Sequence, residues 1–306
     1  MYLDPHKDTV LPCCEDMVTP MEFQLKGQRF GFDRPLLMGI VNVTPDSFFD
    51  GGRFCDPQRA VAHALRLVEE GADLLDIGPD STGPGALPID EQEERRRLVP
   101  VVQAVAKAVS VPISVDTSKA EVARAAIDAG AIMVNDVTAL RGDSAMIDVV
   151  AQAGAALVLM HMQGTPDTMQ QAPRYDDVVG EVAQFLAERV RFAIDHGVGK
   201  DRIVVDPGIG FGKTLGHNLD LLANLHVFTE LGYPLLVGPS RKGFIGQLTD
   251  QSVEARGWGT AGVVALAVEQ GANILRVHDV GPMKDVAKVA AAVVRRISAG
   301  VREQHA

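Results

Sequence analysis

A closed barrel of eight β/α units is the fold class that this 306-residue sequence predicts, and three observations predict it. From residue 36 onward, short apolar runs rich in β-branched residues alternate eight times with longer runs at helical spacing. Several helical runs end on a glycine just before the next strand, at Gly71, Gly130, Gly154, Gly197, Gly232 and Gly271, where a helix C-cap belongs. The length suits one such domain, because (β/α)8 TIM barrels use about 250 residues. An open doubly wound sheet usually has fewer strands.

In chain order the strand candidates are 37–43, 74–77, 113–115, 132–134, 156–161, 203–205, 235–237 and 274–277. Between them lie helical patterns such as Val61, Leu65 and Val68, or Val178, Val182, Phe185 and Val190. Ahead of the repeat, Phe23 and Leu25 alternate on one side of Lys26-Gly27, and Phe30 and Phe32 on the other. That pattern predicts an N-terminal β-hairpin, placed to cap the bottom of the barrel. Residues 1–20 are expected to form a loose tail and residues 21–306 a single barrel domain.

Composition narrows the function classes. Apolar residues at 46% and charged residues at 23%, with Gly 30 and Pro 17, describe a globular chain with a sizeable core. A net charge of -11 argues against nonspecific nucleic-acid or anionic-membrane binding, so an anionic substrate must meet local cations. One Trp and three Tyr offer no stacking platform for single-stranded nucleic acid. Cys13, Cys14 and Cys55 form neither a Cys-x-x-Cys pair nor a disulfide framework. Asp4, Asp8, Glu15 and Asp16 stand where a signal peptide needs a basic start, and no apolar run approaches about 18 residues. A cytoplasmic protein is the expectation.

In a barrel the C-terminal strand ends face the ligand, and here they are unusually polar. In order they are Asn42, Asp76, Asp116, Asn135 with Asp136, His161, Asp206, then Ser240, Arg241 and Lys242, and finally Arg276 and His278. A polar residue after a strand also serves as a turn former or helix cap, and for Asp76 and Asp136 both readings stay open. Asp116, Asn135 and Asp206 supply acceptors, which suit a heterocycle presenting ring N–H and exocyclic amine donors. Lys242, Arg276 and His278 supply donors for a carbonyl edge and a phosphate. Together they suggest a guanidine-like bicyclic base with a phosphorylated arm.

No His-x-x-x-His or Cys cluster announces a metal held by protein alone, but Asn42 and ligand phosphates could share a magnesium ion. The stretch from Asp206 to Thr214 imitates two phosphate-binding loops. A P-loop would need glycine where Pro207 stands, and the dinucleotide fingerprint would need one at Lys213. It reads better as a loop hugging the ligand, with Phe211 able to cover a flat ring.

The run Met38-Gly-Ile-Val-Asn-Val-Thr-Pro-Asp-Ser-Phe48, followed by Asp50-Gly51-Gly52, resembles the opening signature of the dihydropteroate synthase family. Ser114-Val-Asp-Thr-Ser-Lys119, Val134-Asn-Asp136, Met160-His-Met-Gln-Gly164, Asp206-Pro-Gly-Ile-Gly-Phe-Gly-Lys213, Ser240-Arg-Lys242 and Arg276-Val-His-Asp279 are similar to it in order and spacing. The resemblance implies that Asp116, Asn135, Asp206 and Lys242 hold a pterin ring with Met160 beside it. It implies that Arg276, His278 and Asn42, the last through Mg2+, hold the diphosphate of a dihydropterin. It places p-aminobenzoate in an open cleft near Thr82, Pro84, Phe211 and Ser240, with residues 44–52 as a lid. Homodimerisation through the last helices is implied as well, and Val286, Val289, Ala290, Val293, Val294 and Ile297 give the final helix an apolar face.

With diphosphate as a good leaving group, C–O cleavage could run ahead of attack, and Asp116 and Asp206 would stabilise the resulting pterin cation. No protein nucleophile is needed. The departures concentrate after strand 2, where Gly83 replaces an arginine of the family pattern and Pro79 stiffens the turn. Losing one charge-assisted phosphate contact costs about 1.5–3 kcal/mol, and Arg53 or Arg141 are the candidates to replace it. Altered sulfonamide sensitivity would follow from the same loop. Two other readings stay open: a pterin-binding paralogue with little synthase activity, and a pterin-dependent methyltransferase. Ser240-Arg241-Lys242 and Arg276-Val277-His278 weigh against the methyltransferase, which needs no such anion handles.

Overall fold

The computed structural model describes residues 23–25, 27–43, 57–79, 89–165 and 168–304. Eight parallel strands form the predicted barrel: β3 (Leu36–Asn42), β4 (Leu74–Gly78), β5 (Ile113–Asp116), β6 (Met133–Asp136), β7 (Ala156–Met160), β8 (Ile203–Asp206), β9 (Leu236–Val237) and β10 (Ile274–Val277). Pairing runs from β8 back through β3 to β10 and β9. A parallel bridge between Val205 and Leu235, with Val205 N donating to Pro234 O at 2.9 Å, closes the ring.

Around it run α1 (Pro57–Glu70), α2 (Glu91–Ala108), α3 (Ala120–Asp128), α4 (Met146–Ala153), α5 (Val178–Asp195), α6 (Leu215–Ala223), α7 (His226–Thr229), α8 (Gly243–Thr249), α9 (Gly257–Glu269) and α10 (Val280–Gln304). The short α7 and α8 are additions to the eight-unit pattern, each too brief to display a helical period. The six C-cap glycines picked out in the sequence all adopt positive φ, from Gly154 at 60° to Gly130 at 122°. None of the described helices is long and apolar enough to cross a membrane.

Strand alternation divides the core in two. Outward residues such as Leu37, Val41, Leu75, Val134 and Leu275 pack beneath the helices. Inward residues Leu36, Met38, Leu74, Met133, Val158, Val204, Leu236 and Ile274 fill the lower barrel. The predicted hairpin is present as β1 (Phe23–Leu25) and β2 (Gln28–Phe30), antiparallel. Phe23 and Leu25, at 0% and 1% exposed, join the lower inner cluster and stop that end of the barrel. Residues 1–22, which include the expected tail, and Lys26 lie outside the described residues.

Candidate active site

Two residues further along the same inward faces, apolar side chains give way to polar ones. Leu74 leads to Asp76, Met133 to Asn135, Val204 to Asp206 and Ile274 to Arg276, while Ser114 precedes Asp116 on β5. A period of two therefore delivers these groups to one cavity at the C-terminal mouth. Asp116, Asn135, Met160, Asp206, Phe211, Lys242 and Arg276 line it, with Val137, Gly208, Ile209 and Gly238.

Arg276 occupies its centre. Nε donates to Asp76 Oδ2 at 2.6 Å and Nη2 to Asp116 Oδ2 at 3.0 Å. Asp76 Oδ2 also accepts from Asn135 Nδ2 at 3.1 Å, which turns the other end of that amide, Oδ1, away from Asp76. Asp76 Oδ1, Ser114 Oγ, Asp116 Oδ1 and Asn135 Oδ1 are buried with no hydrogen-bond partner in the protein. Each such group costs about 1–3 kcal/mol, and a flat ligand carrying N–H donors would relieve the acceptors.

Electrostatics follow from burial. Burial raises the Asp116 carboxyl against the pull of Arg276, with Asp76 adding to the rise. Asp206, 6% exposed, is pushed up to about 6 by burial, although Gly208 N donates to its Oδ1 at 2.7 Å. Burial opposes the Arg276 charge, but Asp76 and Asp116 more than restore it. Burial and Arg276 bring Lys242 down to about 8, and its Nζ lies 3.9 Å from the Phe211 ring centroid. His278 falls to about 4 through burial and Arg276, so its imidazole is neutral at pH 7. The backbone N of His278 donates to Ser240 Oγ, and a Ser240 hydroxyl donating on to His278 Nδ1, 2.8 Å away, would leave Nε2–H as the free donor.

Residues 38–278 match the pterin binding enzyme family. The chain belongs to that family. It is 46% identical to a dihydropteroate synthase of Synechocystis over 263 residues, 86% of this chain and 91% of the relative. Its fold superposes on the Xanthomonas albilineans dihydropteroate synthase solved with 4-aminobenzoic acid, at a TM-score of 0.83 and 49% identity, covering 90% of this chain and 98% of that one. The complex of that enzyme with 7,8-dihydropteroate gives a TM-score of 0.78 and 48% identity, covering 89% and 98%.

Within this pterin-binding barrel, not every polar strand end reaches the cavity. Asp136 and His161 stand one residue beyond inward positions and so face outward. Asp136 accepts from the backbone N–H groups of Thr138 and Leu140, which makes it a turn former. The His161 ring packs edge-on against Phe185, with centroids 4.9 Å apart. Arg241 lines an adjoining cleft with Gln170, Pro173, Lys242 and Arg256, but its guanidinium is spent bidentately on Asp279, with Nη2 2.7 Å from Oδ1. Arg141 is likewise engaged, by Thr138 O, Met162 O and the Phe185 ring. Asn42 is exposed at the end of β3. Thr82, Pro84, Gly83, Arg53 and the expected lid 44–52 lie outside the described residues. Asp279 and Lys213 enter the sequence reading only as the last residues of their motifs, with no role given to either.

Proposed function

We propose that this chain condenses 6-hydroxymethyl-7,8-dihydropterin diphosphate with p-aminobenzoate, releasing diphosphate and forming 7,8-dihydropteroate for folate biosynthesis. The unpartnered Oδ1 atoms of Asp116 and Asn135, buried beside Arg276 and Lys242, carry the reading. They suit the amine and ring N–H donors of a pterin, while the cations suit its carbonyl edge and diphosphate. The similarity to synthase structures with 4-aminobenzoic acid and 7,8-dihydropteroate supports the same pair of substrates here.

The bond from the pterin methylene carbon to the diphosphate oxygen breaks, and its electron pair leaves with diphosphate. Arg276 and the neutral Nε2–H of His278 receive that charge. Asp116 and Asp206 face the cationic pterin, which they favour over the neutral ground state. The arylamine nitrogen then attacks the methylene carbon and gives up a proton. The exposed Asn42 amide, at a strand end facing the mouth, fits a magnesium ion that keeps few protein ligands, and bound Mg2+ would neutralise diphosphate charge.

The chain works as a homodimer through adjacent α9 and α10, where Trp258, Leu266, Val289, Val293 and Ile297 are between 54% and 90% exposed. Its setting is the cytoplasm, in keeping with Cys13, Cys14 and Cys55 offering no disulfide framework.

Gly83, in place of the family arginine, favours a second reading: a pterin-binding paralogue with weak synthase activity. Dihydropteroate formation by the purified protein with both substrates and Mg2+, beside Gly83→Arg, separates the two. Robust wild-type turnover is expected. Turnover in the variant alone, or in neither protein despite pterin binding, would establish the paralogue.

A further inference from the structure

Lys213 ends the glycine-rich stretch and is buried, at 3% exposed. An ammonium carries three donors, and three acceptors lie within 3.0 Å, with His161 O a fourth at 3.4 Å. Gly208 O and Phe211 O each stand at 2.9 Å from Nζ, and His161 Nδ1 at 3.0 Å. The cation is thus spent inside the protein and has nothing left for a substrate.

What it gathers is the loop that serves the cavity. Gly208 N holds Asp206 Oδ1 at 2.7 Å, and the Phe211 ring lies under Lys242. The loop rests directly on the exit of β7: a Cβ on Gly208, whose φ is +68°, would come within 1.9 Å of His161 O. Its other carbonyls are held too, Gly210 O by Gln170 Nε2 and Gly212 O by Tyr175 Oη, both at 2.8 Å.

We propose that Lys213 is a positioning residue for catalysis, its ammonium binding Gly208 O, Phe211 O and His161 Nδ1 so that Asp206 and Phe211 meet the substrates in fixed geometry. The inference rests on Asp206 serving in the pterin cavity, as argued above. Lys213 also acts through space. Asp206 is faced by Lys213 on its own loop, Lys242 beyond β9 and Arg276 on β10, and all three favour its ionised form. Lys213 itself is faced by Asp206, Lys242 and the His161 ring, and burial brings it down to about 7.

The test compares wild type, Lys213→Met, Lys213→Gln and Asp206→Asn in melting temperature, in kcat and KM for each substrate, and in the pH profile of kcat/KM. Folded Lys213→Met is expected to lose about 100-fold in kcat/KM, the scale of a displaced catalytic group, and to move the acid limb to higher pH because Asp206 has lost a cation. Lys213→Gln keeps two N–H donors and is expected to recover part of kcat with the acid limb still raised. A folded Lys213→Met with wild-type kinetics and an unmoved acid limb, beside an inactive Asp206→Asn, would overturn the inference alone. Failure of both lysine variants to fold would also overturn it, by making Lys213 a residue of the fold. Near-normal turnover in Asp206→Asn would overturn the reading of the cavity and this inference with it.

Discussion

Replacing Asp206 by asparagine is expected to remove turnover and, at pH 8, to stabilise the protein. The wild-type carboxylate is 6% exposed and receives one hydrogen bond, from Gly208 N. Lys242, Arg276 and Lys213 offset its desolvation only in part, and its pKa stands at about 6 rather than 3.8. That difference corresponds to about 3 kcal/mol of destabilisation once the group is ionised. It is an upper bound for the variant, because Lys242 and Arg276 lose a counter-charge in the exchange. Asparagine keeps the acceptor for Gly208 and carries no charge.

The pH dependence has a definite sign. A carboxyl whose folded pKa lies above its unfolded value makes the folded state bind more protons between the two. This group's penalty is therefore full above about pH 6 and fades as pH falls toward 4. Urea unfolding at pH 8 and pH 5, with turnover measured alongside, reads both effects. The variant should exceed wild type at pH 8, with a smaller margin at pH 5. A variant less stable than wild type at pH 8, or a margin that ignores pH, would refute the argument that burial of this charge is held against folding for the sake of catalysis.

Other consequences are open to measurement. Asp76→Ala removes the acceptor shared by Arg276 and Asn135, and breaking a buried charged pair costs about 3–5 kcal/mol; chemical denaturation should register most of that, together with a raised KM for the pterin substrate and little change for p-aminobenzoate. Gly208→Ala places a methyl group against His161 O, so a lowered melting temperature and loss of turnover are expected, and an unchanged enzyme would show that the loop has room to move. The acid limb of kcat/KM should lie at pH 6 or above, where Asp206 and Asp116, both raised by burial, take up their protons, rather than near 4, where His278 does. For the proposed homodimer, Val293→Glu on the exposed face of α10 should leave a monomer by light scattering at unchanged far-UV circular dichroism, and a wild type that is itself monomeric would refute the proposal.

The barrel was legible because its signals are local and repeated. Each strand is short, apolar and β-branched, and each of the named glycines occupies a left-handed turn that a side chain would strain. The cavity was legible in outline, since Asp116, Asn135, Asp206, Lys242 and Arg276 do meet there. What could not be read was direction. Asp136 and His161 sit at strand ends like the others, yet their positions are one step out of phase with the inward face. Arg241 is adjacent in sequence to Lys242, but a backbone bend at φ 56° sends its guanidinium to Asp279. Lys213 stands inside a recognisable motif, but its partners are main-chain atoms of its own loop and a histidine at the neighbouring strand end. Such contacts leave no pattern of residue types.

The stopper formed by Phe23 and Leu25 has a kinetic corollary. With the lower end of the barrel filled, the pterin cavity has a floor, and traffic passes through the C-terminal mouth alone. The cleft bordered by Arg241 and Lys242 shares Lys242 with that cavity, so an occupant there would stand beside the way in for a pterin still to arrive. Ordered binding, pterin first, is the expectation that follows, with the joined product withdrawing past Phe211 by the way its larger half came in.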